Sequence, residues 1–106
     1  MNHSTFNKIV RARQSQTKET LIIKAKEYAR NNDRLHNFKR AADIKQETQA
    51  QALWGMFAKH LVSIIDMVEA TVDGVYPDEE LINEKIGDAI NYLHLLEAVF
   101  IEENNK

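Results

Sequence analysis

Cysteine is absent, proline occurs once and glycine three times in 106 residues. Without cysteine there is no disulfide and no thiolate metal site, which fits a reducing compartment. So few chain-breaking residues, set among abundant Ala, Leu, Ile, Lys, Glu and Gln, favour helices over strands and turns, so the expected class is all-α. No apolar run approaches the roughly 20 residues that span a bilayer, and the N-terminus lacks the charged-then-apolar pattern of a signal peptide. A soluble, cytoplasmic protein without membrane association is expected. The glycines at 55, 74 and 87 are isolated, so neither a phosphate-cradling loop nor a dinucleotide fingerprint exists. No serine or cysteine nucleophile arrangement is visible, and His3, His36 and His94 do not share the spacing of a zinc site.

At 12.3 kDa the chain reads as one domain over residues 1–106, in the size range where oligomerisation often adds burial. Its net charge of -2 conceals a strong polarity. Residues 1–50 hold 11 Lys and Arg against 5 Asp and Glu, a balance of +6, whereas residues 51–106 hold 3 against 11, a balance of -8. Such halves can dock on each other, pair head to tail in an oligomer, or offer an anion site on the basic half. An isoelectric point near 6.1 and the acidic second half argue against a dedicated nucleic-acid binder.

Phe6, Ile9 and Val10 suggest a short first helix begun by Ser4 or Thr5, interrupted at Gln14-Ser15-Gln16-Thr17, so that residues 1–16 form a separate arm. Leu21, Ala25, Tyr28 and Ala29 restore helical spacing between Thr17 and Arg30, with a basic outer face. Asn31-Asn32-Asp33 closes that segment and offers Asp33 as N-cap of a short basic helix over 34–44, with Leu35, Phe38 and Ala42 on its inner side. Thr48-Gln49-Ala50-Gln51 has the spacing of a capping box. The long helix it starts carries Leu53, Trp54, Phe57, His60, Leu61, Ile64, Ile65 and Val68, and ends at Asp73-Gly74, where glycine can turn left-handed. Pro77 and the acids Asp78, Glu79 and Glu80 suit the start of a last helix reaching about Glu103.

In that last helix Ile82, Ile86, Ala89, Leu93, Leu96 and Phe100 follow steps of four and three, a stripe expected to face the core. Glu84, Asp88 and Asn91 make a polar line beside it. A short turn makes the two long helices an antiparallel hairpin. Opposed positions then pair Asp66 with Glu84, Ser63 with Asp88 and Lys59 with Asn91, provided the rotational phases agree. Carboxylates on adjacent helices can hold Mg²⁺ and bridge it to substrate phosphates, and Asp66, Glu69, Glu84 and Asp88 are the candidates. Acids four residues apart are also an ordinary solvated helix edge.

The run Glu84-Lys85-Ile86-Gly87-Asp88, with Ala89 to Leu96 behind it, resembles the third-helix motif of the MazG-like all-α nucleoside triphosphate pyrophosphohydrolases. The departures are Lys85 in place of the motif's second glutamate and Lys59-His60 where the preceding helix usually offers glutamates. A broader resemblance over residues 18–103 rests on Lys26-Glu27-Tyr28, Asp33 to Lys39, Lys59-His60-Leu61 and Glu84 to Leu96. It is to the nucleotide-modification-associated and related small helical proteins of phages and prophages. These resemblances imply a MazG-like helical bundle, a phage setting in the bacterial host cytoplasm and a role around nucleotides.

On that reading Arg34, His36, Lys39, Arg40 and Lys59 would grip phosphates, Asn37 would bond a base or sugar, and Phe38 or Trp54 would stack on the base. Asn91 completes the nucleotide-binding set. Phe38 and Trp54 are more ordinarily core or dimer contacts, and His60 a satisfied buried histidine. The acidic set is incomplete, which places binding of a nucleotide or nucleotide-like signal, by a homo-oligomer, ahead of catalysis. Two alternatives stand beside it: Mg²⁺-dependent pyrophosphohydrolysis through the four acids, and a protein-interaction module whose charged halves and exposed Trp54, Met56 or Val99 grip and inhibit a host or phage protein.

Overall fold

The structure, a computed structural model, describes residues 1–27 and 32–106. Among the described residues there are four α-helices and no strand: α1 His3–Lys18, α2 His36–Lys45, α3 Gln49–Ala70 and α4 Glu79–Asn104. The all-α expectation holds. No helix among the described residues is long and apolar enough to cross a membrane. The chain divides into two compact units, Met1–Arg34 and Leu35–Lys106.

In the first unit α1 is longer and less interrupted than the sequence suggests. Asn2, not Ser4 or Thr5, caps it, accepting a 2.8 Å hydrogen bond from the Thr5 N–H. Gln14 to Thr17 lack an apolar rhythm, but a helix needs only its backbone bonds, and these residues sustain them. Beyond Lys18 the winding changes to a π turn over Glu19–Ile23 and a 3₁₀ turn over Lys24–Glu27, so the expected α-helix over 17–30 is not regular. Tyr28, Ala29 and Arg30 lie outside the described residues.

The second unit follows its local signals closely. Leu35, with no side-chain cap, replaces the expected Asp33 at the start of α2. That helix ends where Gln46 takes the left-handed φ of 54° and the Glu47 N–H returns to the Ala42 carbonyl at 3.0 Å. The capping box at Thr48 is complete: the Gln51 N–H donates to the Thr48 hydroxyl at 3.1 Å, and the Thr48 N–H to Gln51 Oε1 at 2.9 Å. After α3 a 3₁₀ turn, Thr71–Asp73, leads to Gly74 at φ 78°. Asp78 caps α4 by accepting from the Leu81 N–H at 2.8 Å, with Glu79 and Glu80 in the first turn and Pro77 just before the cap.

Helices α3 and α4 form the expected hairpin, and α2 packs on α3. The core joins Leu35 and Phe38 at α2, Leu53 and Phe57 of α3, and Val99 of α4. Phe57 is its centre, ring-stacked on Tyr92 with centroids 5.3 Å apart and met edge-on by Trp54 at 5.8 Å. Two adjacent acids near the end of α4 hold the other elements. Glu102 lies 3.1 Å from Lys39 Nζ of α2, and Glu103 accepts a short hydrogen bond from the buried Gln49 amide of α3.

Candidate functional site

The hairpin carries the chemistry, and its two helices place it in lines. Along α3, Leu53, Phe57 and His60 turn toward α4; along α4, Asp88, Tyr92, Leu95 and Val99 turn back. The polar end of this seam is a His60–Asp88 pair, Nδ1 to Oδ2 3.6 Å, with the imidazole also 4.8 Å from the Tyr92 ring. Asp88 thus meets His60, and Ser63, its expected opposite, donates its hydroxyl to the Lys59 carbonyl at 3.2 Å within α3. Asp88 pairs three residues, close to one helical turn, nearer the start of α3 than expected.

Below that pair, at the turn of the hairpin, lies an open concavity of about 640 Å³. Asp66, Asp78, Glu80 and Glu84 line it around Tyr76 and Leu81, with no basic side chain among the lining residues. A surface of that composition attracts cations and repels free phosphates. Asp66 and Glu84 therefore share one place. Glu69 is exposed on α3 outside it, and Asp88 faces His60. Among the described residues no group of three or more His, Asp or Glu is arranged to hold a metal ion.

The nucleotide-binding candidates are dispersed. Arg34, in the first unit, donates from Nη1 to the Leu21 carbonyl at 2.6 Å. His36 and Asn37 stand at the start of α2, half-buried and exposed respectively, and Arg40 is exposed one turn on. Lys39 is paired with Glu102, and Lys59 is exposed on α3. The Asn91 side-chain oxygen is buried without a hydrogen-bond partner. Of the two aromatics considered for stacking, Phe38 belongs to the core, whereas Trp54 is 53% exposed.

Of the residues expected to be exposed for a protein partner, Trp54 is exposed, Met56 leans on the core and Val99 is fully buried because it packs between the helices. Trp54 belongs to a wider apolar face that the sequence reading missed. The α4 stripe expected to face the core is turned largely outward: Ile82, Ile86, Leu93 and Phe100 are exposed, the last two by 53% and 52%, and only Ala89 and Leu96 lean on the core. The buried line runs one residue earlier, through Tyr92 and Val99. On α3 the same displacement separates buried Leu53 from exposed Trp54, and Ile65 and Val68 are exposed further along that side, while Leu61 between them leans on the core.

One residue is about 100° around a helix, and antiparallel helices convert equal displacements in sequence into the same direction in space. Both outer lines therefore occupy one side of the hairpin. Gln49 and Ala52, buried on the other flank of α3, mark the side where α2 packs. The signal in the sequence is the period. Trp54, Leu61 and Val68 recur every seven residues, as do Ile82, Ala89 and Leu96, and Ile86, Leu93 and Phe100. Compared with protein-family models, curated proteins and solved structures, the chain matches none.

Proposed function

We propose that the chain is a helical protein-interaction module, working through the apolar face that Trp54, Ile65 and Val68 of α3 build with Ile82, Ile86, Leu93 and Phe100 of α4. The observation that carries this reading is the set of large apolar side chains left exposed on one side of both hairpin helices, Ile82, Ile86, Leu93 and Phe100 on α4 and Trp54, Ile65 and Val68 on α3. Monomeric proteins rarely leave so extended an apolar patch in water, and patches of this kind mark interaction sites. The phage-protein resemblance suggests the class of action, which is to grip a host or phage protein and inhibit it.

The absence of native cysteine makes the test clean. A single thiol is introduced as Leu93→Cys on the face, or as Ile44→Cys on exposed α2, and its alkylation rate is followed in concentrated pure protein and in cell extract. Leu93→Cys is expected to be at least about tenfold slower than Ile44→Cys, the equivalent of about 1.4 kcal/mol of protection. Equal rates under both conditions would sink the reading.

Nucleotide binding is the second reading, favoured by one observation. Helix α2 starts without a side-chain cap and carries His36, Asn37 and Arg40 near that positive end. A melting screen of mono-, di-, cyclic and triphosphate nucleotides tests it, since a ligand at 100 times its dissociation constant adds about 2.7 kcal/mol. A hit that requires Mg²⁺ would favour the pyrophosphohydrolase alternative through Asp66, Glu69, Glu84 and Asp88. No shift with any nucleotide would remove this second reading.

A further inference from the structure

We infer that the occupant of the apolar face is the same face of a second copy of this chain, two hairpins closing into a four-helix bundle. The inference rests on the interaction reading and adds the partner. Its first support is period. Helices with a seven-residue apolar repeat pack on other helices by inserting side chains between those of a neighbour. Beside the buried residues of this hairpin Ile86, Leu93 and Phe100 keep such a repeat exposed, with Trp54 and Val68 fourteen residues apart across from it. A second hairpin supplies two more helices of matching length and repeat.

The second support is size. At the rise of a helix the exposed line from Ile82 to Phe100 is about 27 Å long and that from Trp54 to Val68 about 21 Å, and two helices side by side make the face about 20 Å wide. That planar footprint, on the order of 500 Å² before its polar rim is added, approaches the roughly 800 Å² per partner of a stable interface. The third is charge. Exposed apolar residues line the face, and the nearest charges, Glu69 and Glu97, stand at its edges, the arrangement of a charge-depleted interface centre with a polar rim. A basic or acidic partner would find no matching strip within the centre, whereas an identical face needs none.

The fourth support is the core itself. Leu35, Phe38, Leu53, Phe57 and Val99 make the buried cluster of the second unit, with Ala42 and Ala52 also buried, few fully buried side chains for 72 residues. Pairing through the bare face adds a second apolar layer behind α3 and α4. A two-fold assembly is also the commonest one for soluble proteins, because one surface then serves both partners.

The test uses the full chain and its single tryptophan, which sits in the face. Sedimentation velocity over a wide range of concentration is read alongside Trp54 emission, for the native chain, for Leu93→Glu and Ile86→Glu on the face, and for Ile44→Glu away from it. Both face positions are exposed within one chain, so their variants are expected to keep native helicity. The expected result is a dimer with blue-shifted emission. Each face variant should weaken dimerisation at least about 100-fold and red-shift the emission, while Ile44→Glu changes neither.

A monomer with red-shifted emission would overturn self-pairing yet leave the interaction reading standing with a different partner. A monomer with blue-shifted emission would overturn both, because the chain would then be covering its own face. A dimer that survives Leu93→Glu and Ile86→Glu would also overturn the inference, by showing that assembly uses another surface.

Discussion

Replacing Phe57 with alanine should cost about 3–5 kcal/mol, the usual range for truncating a buried phenylalanine. Phe57 is 2% exposed, stacks on Tyr92, takes the edge of Trp54 and packs in the cluster that joins α2, α3 and α4. Its removal leaves a void that neither ring can fill without leaving its own contact. A small domain is stable by about 5–15 kcal/mol, so the loss takes a large share of the total. Urea unfolding at fixed protein concentration reads it as a lower midpoint, and a change below about 1 kcal/mol would show that Phe57 is not the centre described.

A larger loss is expected from Val99→Asp. Val99 is fully buried, and its packing neighbours in the core are apolar. An ionised carboxylate there has no partner to offset desolvation, so the cost should exceed about 4 kcal/mol at neutral pH and leave the chain largely unfolded by circular dichroism. The pH dependence supplies the check. Burial raises the folded-state pKa of the introduced Asp above its unfolded value of about 3.9. The penalty is therefore complete above the folded pKa and fades as the pH falls toward the unfolded one, where both states are protonated. The stability gap between Val99→Asp and the native chain should narrow as the pH drops from 7 toward 4. A gap that stays constant would mean that the penalty is steric.

The features legible in the sequence are those decided within four or five residues. Thr48 and Gln51 cap each other whatever surrounds them, Gly74 turns left-handed because it has no Cβ, and Asp78 reaches the third N–H of its own helix. The misread features depend on what lies across a gap. Two lines on α4 satisfy helical spacing, one through Tyr92, Leu95 and Val99 and the other through Leu93 and Phe100, and periodicity alone ranks the more apolar one first. Phe38 and Phe57 select the other, because they meet Tyr92 and Val99 in space. The same limit separates Asp88 from Ser63. The positions of opposed residues could be matched from numbering, but the rotation that aims Asp88 at His60 is set by the packing of the rings beside it. Candidate phosphate ligands on α2 were legible as residue types, yet the ion pair that occupies Lys39 comes from Glu102, more than sixty positions away.

Val99, Glu102 and Glu103 also set an order of events during synthesis. Val99 is the fully buried α4 member of the core cluster, and the two acids that hold Lys39 and Gln49 follow within four residues. As the chain leaves the ribosome, α2 and α3 emerge first and can wind early, since helix formation is local and fast. Their apolar sides then wait, uncovered, until the second half of α4 brings Ala89, Tyr92, Leu95 and Val99. For that interval the nascent chain displays Phe38, Leu53, Phe57 and the outer line of α3 together, a sticky surface of the kind chaperones hold. Slow translation of the segment encoding α4 would prolong the exposure, so yield in the cell should respond to translation speed there more than to speed within α1.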